Sequence, residues 1–382
     1  MDVIYLDNAA TTRVSEGCAR AAMHVMTEVW GNPSSRHCMG LDAEDILRDA
    51  RKTVASELGA REDEIFFTSG GTEANNLAVM GGARGRGRPG SRVIISSVEH
   101  PSVDQAAAQL EAEGFEVVRI CPREGNVRVE DVTEALTDNT VLVSMMLVNN
   151  ELGTVLPIAQ ISRLLRRNRS RALLHCDAVQ AFGRLPVNVS ALGCDLLTVS
   201  GHKIHAPKGV GALYCRKEIQ RNIRAVAHGG SQQDKLRPGT EPLSNIAALA
   251  QAVKELPRSQ SQRIDHIASL NALARRELSS REGIIINSPE DGAPHILSIA
   301  TGCIKSETLL NFLSSRGICV SSGSACSKGK KSRVLGQFGL SDHVADSTIR
   351  ISFTDTSSEA EVMALCAALD EAMASLARFR KQ

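Results

Sequence analysis

Short runs of consecutive apolar residues, alternating with helix-patterned segments, constrain this chain more than any other feature. Val93-Ile94-Ile95, Val141-Leu142-Val143, Leu173-Leu174 and Leu196-Leu197-Thr198-Val199 are apolar at successive positions, not at every second one. A strand with apolar side chains on both faces must be covered on both, and that is the condition of a parallel sheet held between helix layers. The pattern predicts strands over 64–68, 92–96, 117–121, 141–146, 172–176, 196–199 and 211–215. It predicts helices over 43–58, 73–81, 103–113, 129–136 and 158–166. The predicted class is α/β, a large mostly parallel sheet covered by helices.

The character changes after Pro257. A helical stretch over 262–278 precedes strands near Ile284 and Ile296, a helix from Glu307, strands over 318–320 and 348–352, and a last helix from Glu359. This reads as a smaller α+β domain. Residues 14–256 are expected to form the large domain, and residues 1–13 with 257–382 the small one. Residues 1–7 read as a short strand with no signal-peptide pattern. The segment Arg84-Gly85-Arg86-Gly87-Arg88-Pro89-Gly90 reads as a solvated basic turn.

Charge and cysteine content narrow the class further. The 382 residues carry 44 Lys+Arg against 43 Asp+Glu, a balance that argues against nucleic acid as a direct ligand. No apolar run approaches the roughly 20 residues of a membrane span. Ten cysteines are scattered without disulfide or metal-ligand spacing, as expected of a reducing cytoplasm and no metal site. Cys18, Cys121, Cys176, Cys194, Cys215 and Cys366 lie in apolar segments and are expected to be small core residues.

In sheets of this kind ligands bind beyond the carboxyl ends of the strands. Five predicted strand ends are followed by Gly70-Gly71-Thr72, Glu99-His100, Asn149-Asn150-Glu151, Asp177-Ala178-Val179-Gln180 and Ser200-Gly201-His202-Lys203. Lys203, in a loop of small and polar residues at a buried strand end, is placed to form a Schiff base. An ordinary solvated loop lysine is the alternative. Gly70 and Gly71 allow close backbone approach at a helix start, which suits a phosphate, and Thr72 adds a hydroxyl. Asp177 at a buried strand end needs a cationic partner, such as a protonated pyridine nitrogen, or else caps a helix. Gln180 could donate to a phenolic ring oxygen. His100 could stack on a flat ring and move a proton, or serve as a helix cap. Arg350, among apolar neighbours, calls for a carboxylate, either a ligand's or a structural partner's. Cys326 sits in Ser322-Gly323-Ser324-Ala325-Cys326-Ser327-Lys328-Gly329-Lys330-Lys331, small and basic surroundings that favour an exposed thiolate on a moving loop.

Taken in order with their spacing, these motifs resemble the cysteine desulfurases of the NifS/IscS family, within the class V aminotransferase superfamily. The resemblance also covers Tyr5-Leu6-Asp7-Asn8-Ala9-Ala10-Thr11-Thr12, Gly31-Asn32-Pro33-Ser34-Ser35-Arg36-His37, Arg237-Pro238-Gly239-Thr240-Glu241 and Ile349-Arg350-Ile351-Ser352. It implies a fold-type I enzyme that holds pyridoxal 5′-phosphate on Lys203. Gly71, Thr72, Ser200 and His202 would cradle the phosphate, and Thr240 would reach the phosphate in a partner subunit, which implies a homodimer. Asp177 would pair with the pyridine nitrogen, Gln180 with the phenolic oxygen, and His100 would stack on the ring. Asn150 and Arg350 would hold the carboxylate of L-cysteine.

The resemblance further implies that Lys203 removes the Cα proton and that Cys326 takes the substrate sulfur as a persulfide, releasing L-alanine. The sulfur would pass to an acceptor protein, an iron–sulfur scaffold or a thiolation enzyme. Two stretches depart from the family pattern: residues 229–236, and Pro242 where an asparagine is common. The short basic loop with Lys328, Lys330 and Lys331 resembles variants that serve tRNA thiolation or another dedicated acceptor. An aminotransferase or selenocysteine lyase of the same fold, or a non-catalytic scaffold, are the competing readings.

Overall fold

The computed structural model describes residues 3–256, 260–322 and 332–376. Its central element is a seven-stranded sheet in the order β2-β8-β7-β6-β5-β3-β4. The strands are β2 (Ile65–Thr68), β3 (Arg92–Ser96), β4 (Glu116–Ile120), β5 (Thr140–Met146), β6 (Leu173–Asp177), β7 (Leu196–Ser200) and β8 (Gly211–Cys215). Strands β7, β6, β5, β3 and β4 pair in parallel, and β8 is antiparallel to both β7 and β2. β2 therefore runs with the parallel set, and the carboxyl ends of β2, β3, β5, β6 and β7 share one edge.

The consecutive apolar residues do what their pattern requires. Ile94, Val143, Leu174 and Leu197 are buried in a core on one face. Their neighbours Val93, Leu142, Leu173 and Leu196 are buried in a core on the other. Each such side chain removed from water contributes about 1.5–3 kcal/mol, so helices on both faces are needed to hold the sheet. The Glu16–Thr27, Cys38–Leu58 and Leu243–Glu255 helices cover the first face. The segment from Gly71 to Arg86 and the Pro101–Ala112 helix cover the second.

Toward the C-terminus β9 (Ile285–Ile286), β10 (Ile296–Ala300) and β12 (Thr348–Ser352) form an antiparallel sheet in the order β12-β10-β9. Leu297, Ile299, Ile349 and Ile351 pack there against Leu365 and Leu369 of the Glu359–Ser375 helix. β1 (Ile4–Tyr5) pairs in parallel with β11 (Ile318–Cys319), and Leu6 is buried in the same core. The N-terminal segment then crosses toward the large sheet.

Three expectations are corrected. The helix expected over 73–81 starts at Gly71, passes through a π-helical turn at Leu77–Gly81 and continues to Arg86. Arg84 is consequently helical, not part of a solvated turn, and its Nε donates to Glu113 at 2.9 Å. Cys121 is exposed, because β4 ends at Ile120 and the thiol points out beyond it, 3.3 Å from Gln337 Oε1. Cys18, Cys176, Cys194, Cys215 and Cys366 are buried free thiols.

Candidate active site

The five strand ends on the common edge bring the expected loops together. β2 ends at Thr68, and Gly70 adopts φ +146°, a conformation strained for any L side chain. A Cβ on Gly71 would stand 2.9 Å from Val179 Cγ2. Bare backbone thus opens a cavity of about 440 Å³, lined by Gly70, Gly71, Thr72, Ser200, His202 and Lys208. The hydroxyl of Ser200 is buried there without a hydrogen-bond partner among the described residues. A buried unpaired hydroxyl is costly, so a cavity that holds one is built for a polar occupant.

β7 extends one residue past its apolar run, taking Ser200 into the strand, and Gly201–Lys203 forms a single 3₁₀ turn. That turn directs Lys203 Nζ at the N-terminal segment, where it donates to the carbonyl of Ala9 at 2.5 Å and of Ala10 at 2.9 Å. Gln180 Nε2 donates to the same Ala9 oxygen at 3.0 Å. His202 Nδ1 lies 3.2 Å from Thr11 Oγ1. Burial, aided by the positive charges of Lys203 and Lys208, pushes the His202 imidazole down to about 4, so it is neutral at physiological pH.

Asp177 closes β6 and is 5% exposed. Its Oδ1 accepts from the Val179 backbone N–H at 2.9 Å and its Oδ2 from Asn75 Nδ2 at 2.7 Å. No salt-bridge partner within reach belongs to the described residues. His100 is the N-cap of the Pro101–Ala112 helix, its Nδ1 accepting from the Ser102 backbone N–H at 3.1 Å. The capping alternative therefore holds for this ring, and it coexists with a place beside Asp177 and Lys203. The ring keeps contact with solvent, yet the surrounding protein lowers its pKa; desolvation dominates, the Asp177 charge opposes it and the Lys203 charge assists.

Arg350 on β12 is 4% exposed and reaches this edge from the smaller sheet. Its Nη1 donates to the Asn150 carbonyl at 2.8 Å and its Nη2 pairs with Asp7 Oδ1 at 2.9 Å. Nε is buried without a hydrogen-bond partner among the described residues. Arg350 thus already holds a structural carboxylate, with its buried Nε–H unpaired among the described residues. Burial raises the Asp7 pKa, against the lowering effect of Arg350.

Two expected residues stand apart. Thr240 is exposed and lines a separate cavity of about 310 Å³ with Trp30, Gly31 and Pro33. Cys326 lies outside the described residues. Other residues at the site carry no role in the sequence reading. Arg184 is buried, donating from Nη2 to the Lys203 carbonyl at 3.1 Å and from Nη1 to Thr354 Oγ1 at 2.6 Å. Asn75 links Asp177 to Ser102, and Glu99 is a fully buried carboxyl. The available signal was a polar residue inside an apolar helix face, Asn75 between Ala74 and Leu77, and an arginine following Ala181-Phe182-Gly183.

The sequence matches the aminotransferase class-V family over residues 4–365. The chain belongs to this family. Within it, the chain belongs with the NifS/IscS cysteine desulfurases. It is 40% identical to a NifS/IcsS protein homolog of Lactobacillus delbrueckii subsp. bulgaricus, covering 97% of each chain. It is 38% identical to the cysteine desulfurase IscS of Escherichia coli, over 94% of this chain and 90% of that one. Among solved structures, a NifS-like protein superposes with a TM-score of 0.92 at 33% identity, covering 98% of this chain and all of the other. The structure titled SspA in complex with cysteine gives 0.81 at 33% identity, over 92% and 98%.

Class V aminotransferases of this kind are pyridoxal phosphate enzymes. The residues present fit that group. The orphaned Ser200 hydroxyl and the bare Gly70-Gly71 turn suit a phosphate, and the buried Asp177 carboxylate suits a pyridinium nitrogen.

Proposed function

We propose that this desulfurase acts on L-cysteine with pyridoxal 5′-phosphate held at the described edge, and that Cys326 carries the transferred sulfur. The observation that carries the reading is Asp177, a buried carboxylate facing the Lys203 loop with only neutral donors on its two oxygens. Thr72, Gly71, Ser200 and His202 hold the phosphate, Asp177 the pyridine nitrogen, and Gln180 the phenolic oxygen once it leaves Ala9. His100 lies against the ring. When bound, the cofactor supplies an electron sink for the carbon skeleton of the substrate.

The chain's own groups do the rest. Arg350 and Asn150 bind the substrate carboxylate. Lys203 Nζ takes the Cα proton. The Cys326 thiolate attacks the substrate sulfur, and the S–S bond forms as the Cβ–S bond breaks. The electron pair stays with the carbon, which is protonated to L-alanine, and Cys326 keeps the sulfur as a persulfide for an acceptor protein. The basic residues Lys328, Lys330 and Lys331 favour a dedicated acceptor such as a thiolation enzyme over an iron–sulfur scaffold.

A homodimer in which Thr240 reaches the partner's phosphate belongs to the same reading. Exposed Met26 and Trp30, which line the Thr240 cavity, support it. A division into a large domain, residues 14–256, and a small one, 1–13 with 257–382, is also part of this reading. A cytoplasmic location is part of this reading and agrees with the buried free thiols.

The decisive experiment incubates the cofactor-loaded protein with L-cysteine, measures L-alanine and locates the persulfide by mass spectrometry. Persulfide on Cys326, with none in Cys326→Ala, is expected. Persulfide on another cysteine, or no visible absorption after addition of pyridoxal phosphate, overturns the reading.

A further inference from the structure

Asn75 and Ser102 connect Asp177 to His100 through three short hydrogen bonds. Asn75 Nδ2 donates to Asp177 Oδ2 at 2.7 Å and to Ser102 Oγ at 2.9 Å. Ser102 Oγ in turn lies 2.7 Å from His100 Nδ1. Asn75, Ser102 and Asp177 are 1%, 7% and 5% exposed, so water does not compete for the two inner bonds, while His100 itself is exposed.

The two ends of this chain set the directions of its bonds, the Asp177 carboxylate at one and the Ser102 backbone N–H on His100 Nδ1 at the other. An ionised carboxylate only accepts, so the Asn75 amide must turn its NH₂ group toward Asp177. The second N–H of that group then points at Ser102 Oγ. Because the Ser102 backbone N–H makes His100 Nδ1 an acceptor, the serine hydroxyl, which accepts from Asn75, turns its own proton to that nitrogen. The Ser102 backbone N–H donates to the same nitrogen at 3.1 Å. Two donors converge on Nδ1, which leaves no place for a proton of its own.

We propose that Asn75 and Ser102 are positioning residues that hold His100 as a neutral ring protonated only at Nε2. The consequence deepens the proposed function, resting on its reading that His100 faces the cofactor and substrate. A ring held this way presents one N–H to an acceptor such as the substrate thiolate. It does not take up a proton at Nε2, so it acts as a hydrogen-bond donor and not as a base.

The charges around the ring agree. Among the described residues, Asp177 comes from β6, Lys203 and His202 from the loop after β7, and Glu99 and Asp104 from the ring's own segment. Asp177 favours an imidazolium. Lys203 and desolvation oppose it, and their combined effect prevails. The positive end of the Pro101–Ala112 helix, which the ring caps, disfavours a second proton as well.

The test is imidazole ¹⁵N NMR on histidine-labelled, cofactor-loaded protein, with His100→Gln to assign the resonance. The unaltered protein should show Nε2 protonated and Nδ1 bare. In Asn75→Ala the serine hydroxyl is free to turn and accept, and in Ser102→Ala it is absent. In either variant the proton affinity of the ring should rise about tenfold, one pH unit. Ser102→Thr, which keeps the hydroxyl, should restore the original titration. Circular dichroism checks that each variant is folded, and Ser102→Ala suffices if Asn75→Ala is not.

A ring protonated at Nδ1 in the unaltered protein overturns the proposal, as does a titration unmoved in a folded variant. Failure of the proposed function reads differently. A protein with the Nε2–H ring that yields no L-alanine from L-cysteine sinks that function and leaves this inference standing. An active desulfurase with an Nδ1–H ring sinks the inference alone.

Discussion

Lys203 Nζ and the carbonyl oxygen of Ala9 meet at 2.5 Å across almost two hundred residues of sequence. The N-terminal segment thus supplies the resting place of the Lys203 ammonium, and the same oxygen holds Gln180. Under the proposed function both side chains would exchange the Ala9 carbonyl for the cofactor.

Under the proposed function Lys203 both anchors the cofactor and moves the Cα proton, a pair of duties that tolerates no replacement. Lys203→Ala is expected to lower L-alanine formation at least about a thousandfold and to abolish the absorption band of covalently held cofactor. Lys203→Arg should do the same, because guanidinium keeps the charge but gives up no proton. Either variant turning over near the original rate removes Lys203 from the mechanism.

Arg350 is buried and already engaged at both terminal nitrogens. Its bond to Asn150 and its pair with Asp7 engage the two terminal nitrogens and Nε is buried, so under the proposed function a substrate carboxylate would displace one of these partners from the fork. Arg350→Lys keeps the charge but loses the fork, so KM for L-cysteine should rise about tenfold, near 1.4 kcal/mol, with a smaller change in kcat. Steady-state kinetics decide this. An unchanged KM makes Arg350 purely structural, a partner for Asp7.

The sequence made the sheet and its active edge legible because the physics there is local. Consecutive apolar residues in β3, β5, β6 and β7 could only be buried on two sides, and chemistry-bearing residues followed the strand ends. The Glu16–Thr27 helix was not legible, because its buried face is built from Cys18, Ala22 and Val25, too small to mark a periodicity. Arg184 and Asn75 escaped for another reason. Their roles depend on partners distant in sequence, Thr354 for one and Asp177 for the other, and no local pattern announces those contacts. Arg350 was legible as needing a carboxylate, while Asp7 as that carboxylate required the crossing of the N-terminal segment to β12.

Arg184 locks the Lys203 loop from behind. It is fully enclosed, burial pushes its pKa down to about 10, and its two hydrogen bonds tie the Lys203 carbonyl to Thr354. Arg184→Gln is too short to span both, leaving buried oxygens unpaired. Loss of such bonds to a charged group costs about 2–4 kcal/mol, which urea unfolding should register as a lower midpoint at an unchanged slope. An unshifted midpoint shows that water or a neighbour replaces the guanidinium.

Glu99 provides a test in pH. The carboxyl is 1% exposed; Oε1 accepts from Ser96 Oγ at 2.5 Å and from the Met146 N–H at 2.8 Å, while Oε2 is buried without a partner among the described residues. Burial, the largest influence, pushes its pKa up to about 8 against the two hydrogen bonds. The folded protein therefore holds this proton more tightly than the unfolded chain, whose glutamate titrates near 4.5. The stability from that proton is fully present below about pH 4.5 and is lost as the pH rises toward 8, a change on the order of a few kcal/mol. Glu99→Gln keeps the shape, cannot ionise and offers its NH₂ where Oε2 has no donor. Its melting temperature should match the unaltered protein near pH 4.5 and exceed it progressively up to pH 8 in scanning calorimetry. The nearby Glu151, raised to about 7 by burial, is present in both proteins and cancels in the difference. Parallel curves across this range show instead that folding does not raise the Glu99 pKa.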